Sequence, residues 1–300
     1  MSHQPTHYRG RFAPSPTGLL HLGSLLTAVA SYVDAKANNG TWLVRMEDLD
    51  PPREMAGAAD DILETLHRYG LHWDEPVLYQ SQRQAIYQHH IDRLLQSQHG
   101  FYCTCSRSEI QARSGSARYP GTCRQCHTRP QQPHGIRVKV DDSVIAFQDR
   151  IQGLQKQSLT QHSGDFIIKR KDNLFAYHLA VVVDDDLQKI THVVRGCDLL
   201  DSTFCHLHLQ NLLGFHHPSY SHLPIIVNRQ KQKLSKQTYA EAIPKQQQYR
   251  LLLDCLIRLG QHPPNSLRGA SADHILQWAI EHWKPEHIPK VRQLDLCIEP

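Results

Sequence analysis

Arg11-Phe12-Ala13-Pro14-Ser15-Pro16-Thr17-Gly18, followed closely by His21-Leu22-Gly23-Ser24, is the stretch from which the fold is read. Before it, Tyr8 to Phe12 makes a short strand. After it, Ser24 to Asn38 carries apolar residues at helical spacing and stops at Asn39-Gly40. A strand end, two prolines that stiffen a turn, a glycine that lets a ligand approach the backbone, and a helix N-terminus together make a site for phosphate oxygens. A histidine at that place can hydrogen-bond a phosphate undergoing displacement.

Outward from this unit the pattern alternates. Thr41 to Met46 is the next strand, ending at Glu47 and Asp48. A helix from Ala58 to Tyr69 puts Ile62, Leu63, Leu66 and Tyr69 on one face and stops at Gly70. Another runs from about Ser81 to Gln98 with Ile86, His90, Leu94 and Leu95 inward. Phe101 to about Gly135 is rich in Cys, Arg, Gly and Pro and shows neither period, so it reads as a small inserted module. Strand patterns return at Ile136 to Val140, Ile145 to Asp149 and Phe166 to Arg170. Leu179-Ala180-Val181-Val182-Val183 is apolar enough for a central parallel strand ended by Asp184-Asp185-Asp186. His192 to Gly196 makes a further short strand, and Leu199 to Leu213 a helix capped by Gly214. Beyond Pro224 a basic loop precedes amphipathic helices such as Gln246 to Leu259 and Ala272 to Trp283. The expected architecture is α/β: a doubly wound, Rossmann-type parallel sheet in two halves, 1–100 and 136–224. A zinc-type insertion at 101–135 splits them, and a helical domain with its basic loop occupies 225–300.

Composition narrows the function classes. Three hundred residues exclude a peptide or a lone zinc finger. Thirty-three Lys and Arg against 29 Asp and Glu give a net charge of +4, which permits an anionic partner without requiring one. No apolar run approaches the roughly 20 residues that span a bilayer, so a membrane protein is not expected. Met1-Ser2-His3-Gln4-Pro5 has no basic and apolar leader pattern, which points to the cytoplasm. In a reducing compartment the eight cysteines read as thiols or metal ligands. Spacing alone selects Cys103, Cys105, Cys123 and Cys126 as a four-thiolate zinc site; Cys197, Cys205, Cys255 and Cys297 read as buried thiols. Lys231-Gln232-Lys233-Leu234-Ser235-Lys236 is by itself a solvated basic loop, yet its lysines suit the charge that develops on a leaving pyrophosphate.

Taken together, these signals resemble the paired signatures of the class I aminoacyl-tRNA synthetases. His21-Leu22-Gly23-Ser24 stands for the HIGH-type motif and Lys233-Leu234-Ser235-Lys236 for the KMSKS-type loop. Arg11 to Gly18, Arg45 to Asp50, Tyr177 to Asp185 and Arg195 to Leu200 resemble the glutamyl branch in particular. Ser24 replaces the second histidine of the first motif, and Gln237 stands at the end of the second.

The resemblance implies an ATP-dependent ligase that forms glutamyl-adenylate. His21 and Lys236 would be catalytic, and His21, Gly23, Ser24, Lys233, Ser235 and Lys236 would hold ATP with its Mg²⁺. Arg11 and Arg195 would hold carboxylates of L-glutamate, Glu47 its ammonium group, and Tyr177 a hydrogen bond, with Phe12, Ala13, Pro14 and Ser15 lining the amino acid. It also implies one structural Zn²⁺ held by Cys103, Cys105, Tyr119 and Cys123, with Cys126 as the rival fourth ligand. Only about sixty residues follow the basic loop, which resembles the truncated paralogues of the branch. Those attach glutamate to the queuosine base of tRNA(Asp) and not to the terminal adenosine. A monomer acting on tRNA(Asp), L-glutamate and ATP is expected; the alternatives are a shortened enzyme charging the terminal adenosine and a non-catalytic tRNA-binding or amino-acid-sensing paralogue.

Overall fold

The computed structural model describes residues 7–228, 230, 232, 243, 244, 246 and 248–296. The first half runs β1 (Arg9–Phe12), α1 (Leu22–Ala37), β2 (Thr41–Met46), α2 (Ala58–Arg68), β3 (Leu78–Tyr79) and α3 (Gln84–Gln96). The middle contains β4 (Gly100–Cys103), α4 (Arg107–Ser114), β5 (Gly135–Val138), β6 (Val144–Asp149), β7 (Gly153–Ser158), α5 (Leu159–His162) and β8 (Phe166–Lys169). Then come α6 (Tyr177–Leu187), β9 (His192–Gly196), α7 (Ser202–Leu213), β10 (Ser219–Leu223), β11 (Ile225–Val227), α8 (Gln248–Arg258), α9 (Ala272–Glu281) and β12 (Gln293–Asp295).

The sheet is parallel where it matters. β1 pairs with β2 from Arg9↔Thr41 to Phe12↔Val44, and β2 pairs with β3. β10 pairs with β9 from Ser219↔His192 to Leu223↔Gly196. The Arg9 carbonyl accepts from the Thr191 N–H at 2.9 Å, which sets β9 beside β1. The chain therefore winds outward through β2 and β3 on one side of β1, and through β9 and β10 on the other. The ends of β1 and β9 flank the point where the winding reverses, the usual place for a ligand crevice in such sheets. α1 packs its apolar face, including Leu25, Val29 and Val33, into a core shared with Trp42, Val44, Leu66, Leu252 and Ile275. Its exit turn needs Gly40, where a Cβ would lie 2.6 Å from the Tyr8 carbonyl oxygen.

The largest correction concerns Leu179 to Val183, expected as a central strand and folded instead as the middle of helix α6. Its apolar residues are buried on all sides against α3, α7, β5 and β8, and a run buried all round has no helical stripe to reveal itself. Asp184 and Asp185 accordingly do not end a strand but lie buried within α6. In α3 the inward face is Tyr87, His90, Ile91 and Leu94, while Ile86 and Leu95 are half-buried. β3, β4, β7, β10, β11 and β12 carry no strand pattern in the sequence, being short or polar. The stretch without period contains the eight-residue helix α4, closed by a reciprocal Ser106–Glu109 cap. β4, β5 and β8 form an antiparallel sheet, beside a small core of Phe101, Cys103, Ile110 and Tyr119. Cys205 and Cys255 are buried and Cys197 half-buried; Cys297 lies outside the described residues. No helix among those residues is long and apolar enough to cross a membrane.

Candidate active site

Two strand ends and a helix start converge on a cavity of about 230 Å³. The expected residues Arg11, Phe12, Ala13, Pro14, Ser15, His21, Gly23, Ser24, Glu47, Tyr177 and Arg195 all line it. Lys233, Ser235 and Lys236 lie outside the described residues. The Pro14 carbonyl accepts from the Glu47 N–H at 3.0 Å, so the loop after β1 is stitched to the end of β2.

His21 is the N-cap of α1, with Nδ1 accepting from the Ser24 N–H at 3.3 Å. That use of Nδ1 assigns the ring proton to Nε2 and makes the imidazole a donor. A Cβ at Gly23 would come within 3.2 Å of the ring, so glycine lets the histidine lie close over the helix start. The first turn of a sixteen-residue helix then offers backbone N–H groups and the positive end of its dipole to an anion.

Opposite, the charged groups separate into two classes. Arg11 donates to both oxygens of Asp185, at 3.1 and 3.3 Å, and Arg45 reaches Asp185 at 2.8 Å and Glu47 at 3.5 Å. Asp185 is held below the usual carboxylate range: burial opposes its ionisation, but the Arg11 and Arg45 guanidinium groups outweigh it. Glu47 is moved upward by burial, although Arg45 and Arg11 pull the other way. Its carboxylate would therefore gain from one more cation.

Arg195, at the end of β9, has only neutral partners. Nε donates to His222 Nε2 at 3.1 Å; Nη1 donates to the Tyr177 hydroxyl at 3.1 Å and to His206 Nδ1 at 3.3 Å. Nη2 donates to the Leu199 carbonyl at 3.2 Å and to Thr203 Oγ1 at 2.8 Å. It is 4 % exposed, and among the described residues no carboxylate pairs with it. A buried guanidinium without a counter-ion is an anion site, since removing a lone charge from water is costly. Asp149, His222, His206 and Thr203 were not found from sequence, each being a single residue with no telling spacing, whereas Asp185 lay inside the Tyr177 to Asp185 block without a role assigned to it.

A second, larger cleft of about 1010 Å³ shares Ser15, Glu47 and Tyr177 with the cavity and extends to the thiol module. In its lining Arg53, Arg107, Arg137, Arg170 and Lys171 outnumber Glu47, Asp50 and Asp172, which leaves it basic on balance. At its far wall the sulfurs of Cys103, Cys105 and Cys123 lie within 4.8 Å of one another. The Cys105–Cys123 separation is 3.6 Å, near the edge of about 3.8 Å of a tetrahedron with 2.3 Å zinc–sulfur bonds. The Tyr119 hydroxyl is 3.5 Å from Cys103 Sγ and accepts from the Cys123 N–H at 2.7 Å. Cys126 falls outside the three-thiol group, its Sγ 3.5 Å from the Thr128 carbonyl oxygen. Three clustered soft donors with an adjoining phenol fit a structural zinc, and Arg137 Nε, 3.3 Å from Cys103 Sγ, would help offset thiolate charge.

The family described as tRNA synthetases class I (E and Q), catalytic domain, matches residues 7–267. The chain belongs to this family. It is thereby a ligase of the class I aminoacyl-tRNA synthetase type, and its α/β fold is that family's catalytic fold. The glutamyl-Q tRNA(Asp) synthetase of Ectopseudomonas mendocina (strain ymp) is 49 % identical over 290 residues, covering 96 % of this chain and 97 % of that one. That of Thiobacillus denitrificans is 51 % identical over 284 residues, covering 93 % and 94 %. Among solved structures, a glutamate tRNA ligase from Elizabethkingia meningosepticum, in complex with its amino acid, superposes with a TM-score of 0.80 at 26 % identity, covering 97 % of this chain and 67 % of that one.

Proposed function

We propose that this class I synthetase activates L-glutamate with ATP and transfers the glutamyl group to the queuosine base of tRNA(Asp). The observation that carries glutamate is the buried Arg195 without a counter-ion, facing a cavity whose other wall holds Glu47. A small amino acid with two carboxylates and one ammonium group matches that pair of charges, the planar fork suiting a carboxylate. Tyr177 and the loop from Phe12 to Ser15 shape the space between them. The queuosine target rests on the named relatives, with the basic cleft beside the cavity as a route for RNA.

In the first step a carboxylate oxygen of glutamate attacks the α-phosphorus of ATP in line and pyrophosphate leaves. No protein nucleophile is required. His21 Nε2–H and the start of α1 stabilise the phosphates, Gly23 and Ser24 lie beside them, and Lys233, Ser235 and Lys236 meet the departing pyrophosphate. In the second step a hydroxyl of the queuosine cyclopentene attacks the mixed anhydride and AMP leaves. ATP enters with its Mg²⁺. Zinc bound by Cys103, Cys105, Cys123 and Tyr119 would give the insertion a fixed core and take no part in either step. We read it as a cytoplasmic protein acting as a monomer.

The test is transfer of labelled glutamate to queuosine-containing tRNA(Asp), to the same tRNA lacking queuosine, and to tRNA(Glu), each with and without the terminal adenosine. Label on the first alone, indifferent to the terminal adenosine, is expected. Label on tRNA(Glu) that requires the terminal adenosine would instead establish the second reading, a glutamate tRNA ligase like the solved structural neighbour. Lys236→Ala is expected to slow pyrophosphate exchange by on the order of 10²-fold.

A further inference from the structure

Behind Arg195, Asp149, Thr203, His206 and His222 form a second tier of buried polar residues that line neither cavity. His222 Nδ1 is 2.6 Å from Asp149 Oδ2, and both side chains are fully buried. The remaining oxygen of Asp149 accepts from the backbone N–H groups of Ile151 at 2.9 Å, Gln152 at 2.8 Å and His222 at 3.2 Å, which fixes the carboxylate at the turn after β6. Arg195 Nε always carries hydrogen, so the His222 Nε2 it meets must present a lone pair. Thr203 Oγ1, which accepts from Arg195 Nη2, is 3.2 Å from the same Nε2 and can donate to it. Every contact thus requires one tautomer, with the proton on Nδ1 and held by Asp149. On the other flank His206 Nδ1 accepts from Nη1, and its Nε2 faces His178 Nδ1 at 3.2 Å.

We propose that Asp149 and His222 are positioning residues that fix the orientation of Arg195 by locking the imidazole in its Nδ1–H tautomer, keeping the guanidinium charge unspent for the substrate carboxylate. This rests on the glutamate-binding reading above. A carboxylate placed directly on Arg195 would compete with the substrate. A neutral ring between carboxylate and guanidinium transmits the orientation without supplying a counter-ion.

Asp149→Asn tests the lock. With its amide oxygen kept on the three backbone donors, the new NH₂ faces Nδ1, the ring proton moves to Nε2, and two donors meet at Arg195. In glutamate-dependent ATP–pyrophosphate exchange this variant is expected to raise the KM for glutamate by on the order of 10²-fold, with the KM for ATP little changed. His222→Gln, whose oxygen can accept from Nε, is expected to stay within about tenfold, while His222→Phe matches the loss in D149N. Adding D149N to H222Q should cost nothing more, because no tautomer remains to be set. An unchanged KM for glutamate in D149N and H222F, an equal rise in both KM values, or additivity in the double variant would overturn the proposal. A reading independent of substrate comes from ¹⁵N shifts of histidine-labelled protein: Nδ1–H at His222 in the wild type is expected, and Nε2–H or a charged ring refutes the lock. Absence of any glutamate-dependent exchange in a wild type that shows the Nδ1–H tautomer would sink the glutamate reading and, with it, the role of the lock, leaving the tautomer as a structural feature alone.

Discussion

Arg195 donates five hydrogen bonds to neutral acceptors, one for each N–H of its planar fork, so a substrate carboxylate meets an unpaired charge and must displace one of these acceptors, of which the Tyr177 hydroxyl belongs to a cavity-lining residue. Arg195→Lys keeps the charge and loses the fork. The expected result is a KM for glutamate raised by on the order of 10²-fold with the KM for ATP within about threefold, read in pyrophosphate exchange. Arg195 and the residues beside it in the cavity were legible in the sequence because the family's blocks carry them. Its supports were not: Asp149 arrives from the end of β6, Thr203 and His206 from α7 and His222 from β10, brought together by strand pairing that no local spacing announces.

At the scale of the element, α6 is held by carboxylates that the sequence presents as a plain acidic run. Asp184 accepts from Gln80 Nε2 at 2.8 Å, Arg83 Nε at 2.7 Å and the Tyr87 hydroxyl at 2.7 Å while fully buried. Asp184→Asn removes the charge that Arg83 answers and is expected to cost about 3 kcal/mol in urea unfolding, against little effect from Asp172→Asn on the surface. An apolar run of five residues fits a strand or a buried helix equally well. The eleven residues from Tyr177 to Leu187, free of glycine and proline, were the signal for a helix. The thiol module shows the reverse case, where residue types were legible, the resemblance put Tyr119 ahead of Cys126, and the structure groups the thiols of Cys103, Cys105 and Cys123 without that of Cys126. Elemental analysis is expected to find one zinc per chain, lost in Cys123→Ser and retained in Cys126→Ser, with the melting temperature falling only in the former.

For the molecule as a whole, half-buried histidines set a pH limit. Burial pushes His178 down to about 4, with Arg195 adding to the effect, and His192, stacked on Tyr8 at 3.9 Å, is pushed to about 4 by burial and by Arg150. Both rings regain a value near 6.5 when the chain unfolds. Between those limits the unfolded state binds more protons, so stability is complete above about pH 6.5 and declines toward pH 4. His178 alone accounts for up to about 3 kcal/mol of that loss. Thermal unfolding is expected to show a melting temperature lower by on the order of 10 °C at pH 4.5 than at pH 7.5. A flat profile would contradict these burials.

One feature of the sheet bears on how the protein comes into being. Pro224, Ile225 and Ile226 form part of the cavity wall, and β11, to which both isoleucines belong, pairs in parallel with β12 from Ile225↔Gln293 to Val227↔Asp295. The whole of α8 and α9 is translated between these two strands. On the ribosome, a nascent chain that has finished the sheet still lacks the neighbour that fastens this wall, and pairing over so long a separation is slow to form. The cavity wall is therefore fastened only after the helices that complete the main core, and a chain that stopped between α9 and β12 would hold both helices yet leave the substrate chamber unsealed.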